Sequence, residues 1–198
     1  MPDKEDILRG LHNIANNYKQ FAIAWHIIFY LFAAILILLR QPTDKILAIA
    51  LCLPVLSVAL FALVSGNPFN GLLFSVLAVL TIIFAFKASD NTVVLSNGPF
   101  MIIGILMIIF GLVYPHFLFT GSFIKYLYAS PAGLIPCPTL SIIIGLLLVF
   151  NGAGSQPLTL IFALSGLFYG IFGVLKLAVR IDIVLIFGAA SLLIKYFF

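Results

Sequence analysis

The stretch Ile46–Phe86, ILAIALCLPVLSVALFALVSGNPFNGLLFSVLAVLTIIFAF, decides the fold class. It holds two apolar runs without a single Asp, Glu, Lys or Arg, parted by a short Gly-Asn-Pro turn. A bilayer's hydrocarbon core is about 30 Å thick and takes roughly 20 apolar helical residues to cross. In lipid, only helices and closed barrels satisfy their own backbone groups. Continuous apolar runs, rather than ten-residue alternation, select helices. Ile46–Ser65 and Gly71–Phe86 therefore read as two membrane spans joined at GNPFN.

The same reading extends outward. A first span covers Phe21–Leu39 and closes in RQPTDK, with no small-residue cleavage site, so it is expected to be retained rather than removed as a signal. A fourth runs from Pro99 to Pro115. Phe117–Ile135 is interrupted by Lys125 and reads as an interfacial or re-entrant connection. A fifth span starts near Pro138, with Cys137 as its cap, and is broken by NGAGSQP. The sixth is Leu158–Leu175 and the seventh Ile183–Tyr196. The expectation is an all-α polytopic transmembrane helical bundle of about seven spans. Residues 1–20 form an amphipathic N-terminal segment and residues 21–198 a single transmembrane domain.

Composition agrees, with 64% of the 198 residues hydrophobic and 8% charged, far from the balance of soluble domains. The net charge of +4 comes from single Lys and Arg residues scattered between apolar runs. They form no basic stripe, which argues against nucleic acid as a partner and leaves the lipid bilayer as the expected one. With the N-terminus inside, Lys4, Arg9, Lys19, Lys125, Lys176 and Arg180 lie on the cytoplasmic side and Arg40, Lys45, Lys87 and Lys195 on the other. Six against four favours a cytoplasmic N-terminus. Two short echoes, CLPVLS from Cys52 and CPTLS from Cys137, each open an apolar run and are each followed by a Gly/Asn/Pro turn. As copies of one unit they would make a three-plus-three inverted repeat after the first span, an arrangement used by secondary transporters.

Pro136-Cys137-Pro138-Thr139 is the most unusual polar point. Two alternate prolines disfavour a continuous helix through Ile135 and Cys137, so the chain should break there. From Pro138 to Phe150 is only about 20 Å of helix, which places the helix start below the membrane surface. A buried helix start offers free N–H donors to an anion and acidifies a thiol. A loop-ending role for the prolines, with Cys137 as a small buried apolar residue, explains the same pattern structurally. His26, beside Trp25, is an ionisable residue in the first span, and Tyr114 and His116 close the fourth. Each is a candidate wall residue, with an aromatic-belt role as the alternative. Lys176, Arg180 and Asp182 read as boundary markers. Gly166, Gly170 and Gly173 read as a packing face.

The run GLVYPHF with Tyr114-Pro115, followed by PCPT at Pro136–Thr139, resembles the signature of a bacterial multi-spanning inner-membrane family that carries only a domain-of-unknown-function label. The Asn67-Pro68 turn and the Trp-bearing first span are similar too. The resemblance implies a polytopic fold in a bacterial cytoplasmic membrane and brings no activity or cofactor.

No phosphate-binding loop, zinc motif or Ser-His-Asp spacing occurs. Two distant cysteines form neither a disulfide framework nor a metal motif, so neither a cofactor nor a metal is expected. The leading expectation is binding or transport of a small solute or ion at the break, through Cys137, Thr139, Tyr114, His116 and His26. The alternatives are a membrane-embedded thiol enzyme or redox protein using Cys137, and an accessory subunit that oligomerises or packs on a protein partner.

Overall fold

The computed structural model describes residues 3–38 and 42–197. Nine α-helices occur among them: α1 (Lys4–Asn17), α2 (Lys19–Leu38), α3 (Asp44–Val64), α4 (Pro68–Lys87), α5 (Pro99–Val113), α6 (Tyr126–Ala129), α7 (Pro136–Val149), α8 (Gln156–Ile171) and α9 (Ile183–Phe197). No strand is present among the described residues. Arg40, one of the residues weighed for orientation, lies outside them.

Local chemistry sets the helix ends. Asp3 caps α1, and Glu5 and Asp6 stand in its first turn, where negative charge favours the helix dipole. The Asn67 side chain accepts from the Asn70 N–H at 3.2 Å, and Pro68 opens α4. Proline suits this first position because its missing N–H would be unpaired anyway. The turn expected at GNPFN is therefore a capped helix start.

The same principle corrects the expectation at Pro136. The helix begins at Pro136 rather than Pro138, with Ile135 as its N-cap and Cys137 inside the first turn. Neither proline costs a helical hydrogen bond there, since the first N–H groups of a helix have no intrahelical partner.

α2, α3, α4 and the α8 segment Gln156–Lys176 are long and apolar enough to cross a membrane, while α5 and α7 are shorter apolar helices. Their ends alternate. One end of the bundle gathers the close of α3, the start of α4, the start of α7 and the close of α8, with α1 beside them. At the other end Ser89, after α4, donates to Asp44 at the start of α3 (2.9 Å), and Lys195 of α9 reaches the Leu148 carbonyl of α7 (3.0 Å) and Ser96.

α7 is the core. All 14 of its residues are buried, against α3, α5, α8 and α9. Its closest neighbour is α5, and the two backbones touch at a glycine pair: a Cβ on Gly104 would lie 2.7 Å from the Gly145 carbonyl oxygen, and one on Gly145 2.6 Å from that of Gly104. Small residues permit this approach, the usual device where lipid removes the hydrophobic drive between helices. Gly166 and Gly170 likewise pack α8 against Ala189 and Ile186 of α9, as expected.

Trp25 packs over Gly133, donates to Ser57 Oγ at 2.8 Å, and Ser57 in turn donates to the Gly133 carbonyl at 2.6 Å. It ties α2 and α3 to the loop before α7.

The CLPVLS and CPTLS echoes sit differently: Cys52 and Pro54 lie within α3, whereas Cys137 belongs to the first turn of α7.

Candidate functional site

Three side chains from separate elements meet at the start of α7. Cys137 Sγ donates to Asp182 Oδ2 at 3.2 Å, and Tyr114 OH donates to Asp182 Oδ1 at 2.6 Å. Asp182 is 1% exposed and Tyr114 fully buried. Neither ion pair found among the described residues involves Asp182. A buried carboxylate with donors but no counter-ion is costly when charged, by several kcal/mol. Inside a membrane protein such a group is a functional candidate by default.

The space for this carboxylate is made by α8. After Ile171 the helix loosens into a π-helical turn, Phe172–Lys176, and Gly173 within it faces Asp182. A Cβ at Gly173 would lie 2.0 Å from Asp182 Oδ2. π-Helical turns recur at functional sites because they re-aim the groups around them. Asp182 is thus a correction to the sequence reading, since it is no boundary marker. Gly173 is the glycine of its series that packs against a carboxylate rather than a helix. In addition, Asp182 faces the first turn of α7, so the end expected to attract an anion already has the chain's own carboxylate beside it.

Cys137 separates Asp182 from a cavity of about 170 Å³. Phe69, Phe117, Tyr169 and Phe172 form aromatic walls, and Ile7 and Leu11 of α1 close one side. Tyr169 OH donates to Asn70 Oδ1 at 3.1 Å, and both residues line the cavity. So does Ser65, whose Oγ is the one buried side-chain polar atom without a hydrogen-bond partner among the described residues.

α1 lies over this cavity and is pinned there. The Phe117 carbonyl accepts from Asn16 Nδ2 at 2.9 Å and stands 2.9 Å from His12 Nδ1, while Asn16 Oδ1 accepts from the Phe119 N–H at 2.8 Å. Phe117 adopts φ 68°, a left-handed conformation costly for a non-glycine residue. Its ring is part of the cavity wall and stacks near that of Tyr114, with centroids 6.2 Å apart.

Of the five residues singled out from sequence, Cys137 faces the cavity and Tyr114 lies one hydrogen-bonded carboxylate behind it. Its burial corrects the aromatic-belt alternative for Tyr114. Thr139 is turned to the loop: its Oγ1 donates to the Ile135 carbonyl at 2.7 Å and accepts from the Gly133 N–H at 2.9 Å. His26 braces α2 against α5, with Nδ1 2.8 Å from the Ala22 carbonyl and Nε2 2.9 Å from that of Leu112, and it is buried. His116 belongs to the α1 anchor, its ring centroid 6.0 Å from that of His12 and 4.3 Å from that of Phe117. Burial, and then the neighbouring His12, hold its imidazole below the ordinary histidine value. No group of three or more His, Cys, Asp or Glu that could hold a metal occurs among the described residues.

Chemically, Asp182 accepts a hydrogen bond from a Cys137 thiol that keeps its proton, and among the described residues no histidine bonds to either group to act as a base. No known family model, curated protein or solved structure matches this chain.

Proposed function

We propose that the chain is an integral membrane protein that crosses the bilayer with α2, α3, α4, α5, α7, α8 and α9 and binds a small solute in the Cys137 cavity, for transport. The observation that carries this reading is a cavity whose floor is a thiol hydrogen-bonded to a buried carboxylate that has no counter-ion among the described residues. The lysine and arginine distribution supports a cytoplasmic N-terminus, with α1 and the cavity on that side, in a bacterial inner membrane as the motif resemblance implies. The thiol-enzyme alternative rests on the Cys137–Asp182 contact alone.

The test uses Cys137 as the sole thiol, after Cys52→Ala, in sealed vesicles of each orientation. A membrane-impermeant maleimide should modify it from the α1 side, and from the opposite side as well once solute cycles through the protein. Modification from neither side without denaturation rejects the reading.

A further inference from the structure

We infer that the solute is a small organic cation, an ammonium group carried on a short apolar body; the inference rests on the Cys137 cavity being the solute site. Among the described residues the lining contains no Lys, Arg or His, whereas Asp6 stands at its rim and Asp182 lies directly behind Cys137 and Gly173. Asp6 is paired with Arg9 and both are mostly exposed, so the rim pair adds no net charge and the buried Asp182 is the charge that counts. Charges buried in protein are screened far less than exposed ones, so Asp182 sets the sign of the field in the cavity. Helix ends do not reverse it, because the starts of α4 and α7 are matched by the ends of α3 and α8 at the same place.

The neutral groups point the same way. Four aromatic rings, Phe69, Phe117, Tyr169 and Phe172, line the space, and an aromatic face attracts a cation, most strongly where water is excluded. Ser65 Oγ, buried without a partner, offers an acceptor to an ammonium N–H. Ile7, Leu11 and Leu177 provide the apolar remainder. The volume is close to that of an apolar cavity of about 150 Å³ that takes up one benzene, which bounds the body to a ring or a short chain.

The experiment measures how three probes of one shape slow maleimide modification of Cys137 in the full-length Cys52→Ala protein in lipid nanodiscs: phenethylammonium, 2-phenylethanol and phenylacetate. The ammonium should protect at concentrations about tenfold lower than the alcohol, a difference matching one desolvated cation–aromatic contact, and phenylacetate should not protect. Asp182→Asn should remove the advantage of the ammonium and keep the protection by the alcohol. Phe172→Leu, which keeps apolar volume and leaves the carboxylate in place, should reduce the same advantage and covers the case in which Asp182→Asn fails to fold. Equal protection by alcohol and ammonium, or better protection by phenylacetate, overturns the cation while leaving the solute cavity standing. A reactive thiol that none of the three protects overturns the cation inference. A thiol that reacts only after denaturation removes the cavity reading beneath it.

Discussion

Tyr114 and Asp182 stand 68 positions apart in the chain and meet at 2.6 Å, phenol to carboxylate, where the end of α5 faces the start of α9. Neither is solvated, so each depends on the other, and Cys137 completes the set from α7. A hydrogen bond to a charged group contributes about 1.5–3 kcal/mol, and an orphaned buried partner costs as much. Tyr114→Phe should therefore lower stability by about 1.5–3 kcal/mol in denaturant unfolding of the detergent-solubilised protein. In a double-mutant cycle with Asp182→Asn the two losses should be strongly non-additive; additive losses would separate the two residues.

Gly173→Ala is expected to be among the most damaging single-methyl changes. Its Cβ would sit 2.0 Å from Asp182 Oδ2 and must drive the carboxylate away from Cys137 or Tyr114. Gly10→Ala in α1 is the contrast, since a Cβ there meets nothing within 4 Å. In a helix that change gains about 0.5–1 kcal/mol. Melting temperatures of the two variants should move in opposite directions.

Thr139→Val separates scaffold from site. It removes the acceptor for the Gly133 N–H and should cost about 1–3 kcal/mol in the same unfolding assay. Modification of Cys137 in the native state should keep its rate, because Thr139 does not line the cavity. A rate change without a stability change would return Thr139 to the solute path.

Acid should release α1. His116 binds its proton less readily when α1 is docked, because burial and His12 both oppose the charge. The undocked or unfolded state is protonated first, so docking is fully favoured above the ordinary histidine value, about 6.5. It is lost progressively as the pH falls through the lowered one. Spin labels at Asn13→Cys and Tyr128→Cys, in a background without Cys52 and Cys137, should show a second, longer distance growing between pH 8 and pH 5. His116→Gln should abolish that growth.

The helices were legible because long uncharged runs have few other solutions, and the Asn67-Pro68 start follows from proline's missing N–H; the start of α7 was read two residues late, at Pro138 instead of Pro136. The site was only half legible. Cys137 stood out through its flanking prolines, but Asp182 follows Arg180 in a short polar connection whose composition resembles any membrane boundary. Its burial comes from Gly173, nine positions earlier, and from Tyr114 on another helix, neither of which local sequence connects to it. His12 and Asn16 were missed for a similar reason: their partner is the backbone carbonyl of Phe117, and a carbonyl has no sequence signature. The central position of α7 was hidden as well, since an apolar helix reads alike whether lipid or protein surrounds it. Its small and hydroxylated residues, Thr139, Ser141 and Gly145, were the available signal.

The most direct measurement compares the two cysteines as single thiols in the native protein. Cys52 is buried within α3, its thiol directed to the Ala48 carbonyl at 3.4 Å, and it does not line the cavity, whereas Cys137 does. With a small water-soluble maleimide, the account expects Cys137 to react and Cys52 to stay inert until the protein is denatured. Equal inertness of both thiols would contradict it, leaving Pro136–Thr139 as a packed helix start without access to solute.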